Sequence, residues 1–214
     1  MKLILVRASV LTTALLLAGC FGSQPTTPAE KFYRLPAITV PATTAPMATT
    51  ATTAMYALEP VDARGVYVER SLLYCSSAAG SPLQQYPYAS WAEPPDVMLQ
   101  DQLLGALRNA LGVSQVLAPG QRRVPAVRVS MRLRAMEQIR DGSSAQAHFA
   151  ARYTAVDGNG AVLFVLDWDR QAPAGGASPL EFVNALAGLI GQADQELIER
   201  LHTAAGGAAQ ATAK

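Results

Sequence analysis

The chain has 214 residues, half of them apolar, with 15% charged and a formal net charge of +1. That length suits one ordinary domain plus a tether. The near-neutral balance argues against nucleic acid as a partner, because a phosphate-binding surface needs a basic excess.

At the N-terminus, Lys2 and Arg7 form a short basic region, and residues 8–18 are an apolar stretch interrupted only by Ser9, Thr12 and Thr13. This is the layout of a secretory signal. A membrane span needs about 20 mostly apolar residues, and Gly19, Cys20, Gly22, Ser23, Gln24 and Pro25 end the run well short of that. Leu17-Ala18-Gly19-Cys20 resembles the bacterial lipobox, in which small residues admit the peptidase and the cysteine sulfur takes a diacylglycerol. Cys20 is therefore the expected lipid-attachment site and first mature residue. Each buried methylene contributes ~0.8 kcal/mol, and two or more acyl chains hold a protein at a membrane where one does not. Lipoproteins with Asp after the cysteine resemble the class retained at the inner membrane; Phe21 points instead to the periplasmic face of the outer membrane. Loss of residues 1–19 leaves 195 residues, and without Lys2 and Arg7 the 17 basic residues fall to 15 against 16 acidic ones. With Cys20 acylated no intramolecular disulfide can form, and Cys75, in an apolar segment, is expected to act as a small buried hydrophobe.

Residues 32–35 (FYRL) read as a brief strand, whereas residues 39–54 are almost wholly Thr, Ala and Pro. Such a stretch buries too little apolar area to offset its ordering entropy and reads as a mobile loop or linker; residues 20–54 thus comprise the acylated N-terminus, the short strand and this flexible segment, ahead of the domain at 55–203. Residues 65–75 (GVYVERSLLYC) carry the near-alternation of a half-buried strand, and 84–91 (QQYPYASW) is a second extended piece. Pro94-Pro95-Asp96 opens a helix, since Pro is tolerated in the first turn and Asp96 suits its positive end. Leu99, Leu103, Ala106, Leu107 and Ala110 give that helix one apolar face, ending near Gly112.

Three strands follow. Val127, Val129, Met131 and Leu133 alternate with Arg128, Ser130, Arg132 and Arg134; Phe149, Ala151, Tyr153 and Ala155 continue the pattern; and Val162, Phe164, Leu166 and Trp168 alternate with Asp167 and Asp169. Asp-Gly and Asn-Gly at 157–160 signal the hairpin between the last two. The outward arginines are expected to meet the aspartates across strands as a solvated ladder. Ser178-Pro179-Leu180-Glu181 reads as a capping box opening the last helix, with Phe182, Leu186, Leu189, Ala193, Leu197 and Leu201 as its buried stripe and a flexible tail at 204–214. Two helices with one apolar face each and a sheet with one apolar face predict a single two-layer α+β domain, a mainly antiparallel sheet with both helices on one face.

Catalytic signals are missing from the sequence. The only histidines, His148 and His202, have no HxxxH, GxSxG or SxxK context, no Gly-rich phosphate loop follows a strand, and the carboxylates are scattered. No catalytic residue, metal or cofactor is expected. The segment 86–99 (YPYASWAEPPDVML) does stand out. Its aromatics read as a staple between helix start and sheet, or as a docking surface of Tyr86, Tyr88, Trp91, Glu93, Pro94 and Pro95, since Tyr and Trp are enriched at interfaces.

Residues 88–107 (YASWAEPPDVMLQDQLLGAL), preceded by the lipobox and FYRL and followed by three strands and a capped helix, resemble the ABC-type transport auxiliary lipoproteins, most specifically at 91–95 (WAEPP). The resemblance implies a non-enzymatic lipoprotein accompanying an MCE-domain protein and an ABC permease/ATPase pair, in transport of lipids or other hydrophobic compounds between two membranes. The competing expectation is a lipoprotein that activates a cell-wall synthase, a penicillin-binding protein. Self-association into a homo-oligomer stays open.

Overall fold

The computed structural model describes residues 28–38, 54–76, 81–142 and 144–211. The signal segment, Cys20 and residues 39–53 of the Thr/Ala/Pro stretch lie outside the described residues.

Among the described residues, one mixed sheet of eight strands forms the first layer. Its axis is β6 (Val127–Asp141), which pairs antiparallel along its length with β7 (Ser144–Asp157), and β7 pairs antiparallel with β8 (Val162–Pro173). On the other side of β6 lie short strands: β2 (Tyr56–Leu58) and β3 (Ser71–Cys75), both parallel to it. Outside them come β5 (Val116–Leu117) beside β2, and β4 (Gln84–Trp91) beside β3, with β1 (Lys31–Tyr33) beyond β4. The long ladders are thus antiparallel, as expected, and the short flanking ones are mostly parallel.

The helices α1 (Pro95–Leu111) and α2 (Pro179–Ala211) form the second layer. Leu99, Leu103 and Leu107 of α1 and Phe182, Leu186, Ala193, Leu197 and Leu201 of α2 are buried in one core with Val129, Met131, Phe149, Ala151, Tyr153, Leu166 and Trp168 of the sheet. The predicted capping box is formed: the Ser178 and Glu181 backbone N–H groups donate to the Glu181 carboxylate (3.2 Å) and the Ser178 hydroxyl (3.3 Å) respectively. These bonds satisfy donors that a bare helix end leaves open. Gly112, at φ 100°, closes α1 in a conformation that side chains rarely adopt. The α2 backbone stays helical to Ala211, past residue 203, where the sequence reading ends the folded body, and the alanines there favour helix.

Three departures from the sequence reading have local causes. Residues 65–68 do not extend β3 but form a 3-10 turn, Gly65–Val68, entered through Gly65 at φ 61°. β6 runs seven residues past Arg134, because a bulge between Leu133 and Ala135 shifts its alternation. Met136 and Gln138 then face the helices opposite Phe149 and Ala147, while Ala135, Glu137 and Ile139, on the opposite face, are also buried. That face is therefore not wholly solvated: the Tyr67 hydroxyl reaches across it to Glu137.

Candidate docking site

The segment that stands out in sequence occupies β4 and the first turn of α1. β4 is irregular: Ser90 pairs with Ser71 and Gln85 with Leu73, so residues 86–89 bulge from the ladder. Pro87 sits in that bulge before pairing with β1 starts at Ala89, so its missing N–H leaves no gap in the sheet. Tyr88 has φ 57° and is 48% exposed. A non-glycine residue there costs of order 1–3 kcal/mol, which the surrounding ladder must offset.

The six candidate residues divide between interior and solvent. Trp91 is 1% exposed, its ring centroid 6.3 Å from that of Phe182. Its backbone is clamped by Arg70: the Trp91 N–H donates to the Arg70 carbonyl (2.6 Å) and Arg70 Nε donates to the Trp91 carbonyl (3.0 Å). Pro95 is buried at the start of α1 and Pro94 half-buried, its carbonyl accepting from the N–H groups of Val97 and Met98. Tyr86 is half-buried; its hydroxyl donates to the Gln138 side-chain carbonyl, its ring lies 4.8 Å from that of Tyr74, and the Arg140 guanidinium stacks over both. Burial raises the Tyr86 hydroxyl pKa. Trp91, Pro95 and Tyr86 thus staple helix to sheet, and Tyr88 and Glu93 are presented to solvent.

A second cluster lies on the sheet face away from the helices. Glu137, His148 and Asp169 are brought there by adjacent strands. His148 Nδ1 is 2.7 Å from Glu137 Oε1 and Nε2 is 2.9 Å from Asp169 Oδ1. Both partners only accept when ionised, so both contacts are made together by the imidazolium. The Glu137 hydrogen bond, opposed by burial and aided by Asp169, raises the His148 pKa. The remaining Glu137 oxygen accepts from the Tyr67 hydroxyl (2.9 Å) and the Met136 N–H (2.8 Å). Burial first, then the Glu137 charge, pushes the Tyr67 hydroxyl above its ordinary range. Both His148 ring nitrogens and both Glu137 carboxylate oxygens are engaged by neighbours, which holds charge in place. Beside it, Asp167 takes Arg152 at 2.7 Å and Arg134 at 3.3 Å, as the expected ladder requires, whereas Arg132 and Arg128 turn to Asp62 and Glu59. Among the described residues no group of three or more His, Cys, Asp or Glu is placed to hold a metal ion.

One buried acid escapes sequence reading. Asp194, on the inner side of α2, is 1% exposed, and the Tyr153 hydroxyl is 3.5 Å from its Oδ1. Burial, partly offset by that hydrogen bond, raises its pKa to about 8. Its spacing within an otherwise apolar stripe was the only available signal.

The sequence model of the ABC-type transport auxiliary lipoprotein component family matches residues 33–197. Among solved structures, protein XCC0632 from Xanthomonas campestris superposes with a TM-score of 0.64 at 16% identity, covering 86% of this chain and 97% of that one. An uncharacterised protein superposes with a TM-score of 0.62 at 12% identity, covering 81% and 99%. At these identities the likeness is one of fold. No curated protein matches the chain.

Proposed function

Because the chain belongs to the ABC-type transport auxiliary lipoprotein component family, we propose that it is the non-catalytic accessory of an MCE/ABC-type system carrying lipids or other hydrophobic compounds between two membranes. In this reading Cys20 carries the acyl chains and holds the domain at the periplasmic face of the outer membrane. The folded body docks the MCE assembly there and, through it, the ABC permease and ATPase. Cys20 precedes Lys31 by eleven residues, so at about 3.5 Å per residue the tether spans at most about 40 Å. Confinement within that reach raises the local concentration of the domain and lets a modest interface stay occupied.

The observation that carries docking is Tyr88, an aromatic held exposed in a strained backbone conformation beside a stapled core. Rigid aromatics of this kind make interface anchors at small entropic cost. The inner faces of sheet and helices cover one another in a single core, which supports a surface role rather than carriage of a lipid between the layers. The test is a photocrosslinking side chain at position 88 in intact cells, with Cys20→Ala as control. Capture of an MCE-domain protein, lost in the control, is the expected result. Capture of a penicillin-binding protein would replace this reading with that of a cell-wall synthase regulator.

A further inference from the structure

Past the C-terminus of α1 the chain makes a 3-10 turn, Val113–Gln115, enters β5, and returns through residues 118–126 to β6. These pieces enclose an open recess of about 380 Å³ whose walls carry Arg108, Arg122, Arg123, Ser114 and Gln121, and no carboxylate lines it. Six arginines elsewhere are neutralised locally: Arg64, Arg128, Arg132, Arg134, Arg152 and Arg200 each contact a carboxylate. The larger recess along α2, about 520 Å³, holds Glu196 and Glu199 beside its Arg200. None of the three recess arginines makes an ion pair among the described residues. Arg108 is held by its place in the last turn of α1 and by the Val116 carbonyl, 3.5 Å from its Nε. Arg122 and Arg123 are exposed, and their side chains make no hydrogen bond among the described residues.

Converging cations repel one another, and an anion between them removes that repulsion. Guanidinium groups meet phosphate oxygens in paired, planar hydrogen bonds. The surroundings narrow the ligand further. Val113 is 71% exposed and Val124, next to Arg123, is 91% exposed. Val113 lines the recess, and an apolar side chain this open beside unpaired arginines fits a ligand with an apolar part attached to its anionic group. We propose that this recess binds the phosphate of an anionic amphiphile, with Arg122 and Arg123 gripping the oxygens, Arg108 supplying a fixed third charge and Val113 contacting the chain. The assignment stands apart from the docking of an MCE assembly, and its test does not involve one.

The test is calorimetric titration of the full chain with three probes: dihexanoyl phosphatidylglycerol below its micellar concentration, dihexanoyl phosphatidylcholine, and inorganic phosphate. The phosphatidylglycerol is expected to bind more tightly than the other two, to weaken with added salt, and to lose at least tenfold in affinity in the variant Arg122→Gln/Arg123→Gln. Thermal melting checks that this variant folds, and Arg200→Gln, which removes a charge outside the recess, should bind as the parent does. Inorganic phosphate bound as tightly as the lipid and equally lost in the double variant would support the oxyanion site and assign it a soluble phosphate. Undiminished binding by the double variant, equal weakening by Arg200→Gln, or no binding of either anionic probe would overturn the proposal.

Discussion

Replacing Asp194 by Asn should change how stability responds to pH. The unfolded chain releases this proton around the ordinary value of 3.8, while the folded chain keeps it up to about 8. Between those values the folded state binds one more proton than the unfolded state, so stability falls as pH rises. Each pH unit inside that window corresponds to about 1.4 kcal/mol. From pH 5 to pH 7 the parent should therefore lose roughly 3 kcal/mol relative to Asp194→Asn, whose amide does not titrate. Urea unfolding of both proteins at pH 5, 6 and 7 measures the difference directly, and titrations common to both, that of His148 included, cancel. A stability difference that stays constant with pH, or that grows in favour of the parent, would refute the assignment of a buried neutral acid.

Trp91→Ala removes a fully buried ring that touches Phe182, and chemical denaturation should register a loss of about 3–5 kcal/mol. Ser178→Ala deletes one half of the capping box; the expected cost is about 1 kcal/mol, read as a lower melting temperature. His148→Gln should be more destabilising at pH 6 than at pH 9. The raised pKa means that the bond to Glu137 contributes fully below about 6.5 and is lost as pH rises through the folded value. Since Asp169 is largely exposed, its bond adds little, and the difference between the two pH values should be roughly 1–2 kcal/mol.

Three of the four helix boundaries were legible because they are written in local chemistry: Pro94-Pro95 and Gly112 bracket α1, and Ser178 and Glu181 open α2, while its end at Ala211 carries no such signal. The β7–β8 turn was equally open to reading, with the Asp157 side chain accepting from the N–H groups of Asn159 and Ala161. β2 and β5, three and two residues long, are too short to display a period. The turn at residues 65–68 imitates a strand in composition, yet Val66 and Val68 are both exposed. At the candidate site, composition drew attention to residues 86–95 but could not divide staple from surface. Trp91 and Tyr88 belong to the same residue class, and a backbone dihedral and a neighbouring helix separate them. The cross-strand meeting of Arg134 with Asp167 follows from alternation; that of Glu137 with His148 does not, since the bulge at Arg134 shifts the alternation before Glu137 is reached.

That bulge makes β6 two rulers joined out of step by one notch. Arg134 is the notch: Leu133 pairs with Ala151 and Ala135 with Ala150, and Arg134 stands between them without a partner across the ladder. Shortening the strand by this one residue would join Leu133 directly to Ala135 and close the ladder into unbroken alternation, with Met136 and Gln138 still facing the helices and Glu137 still facing away. Loss of a paired residue would instead turn one half of the strand over. The strand therefore has one position where its length is free to change, and what leaves with Arg134 is its 3.3 Å contact to Asp167, not the order of either half.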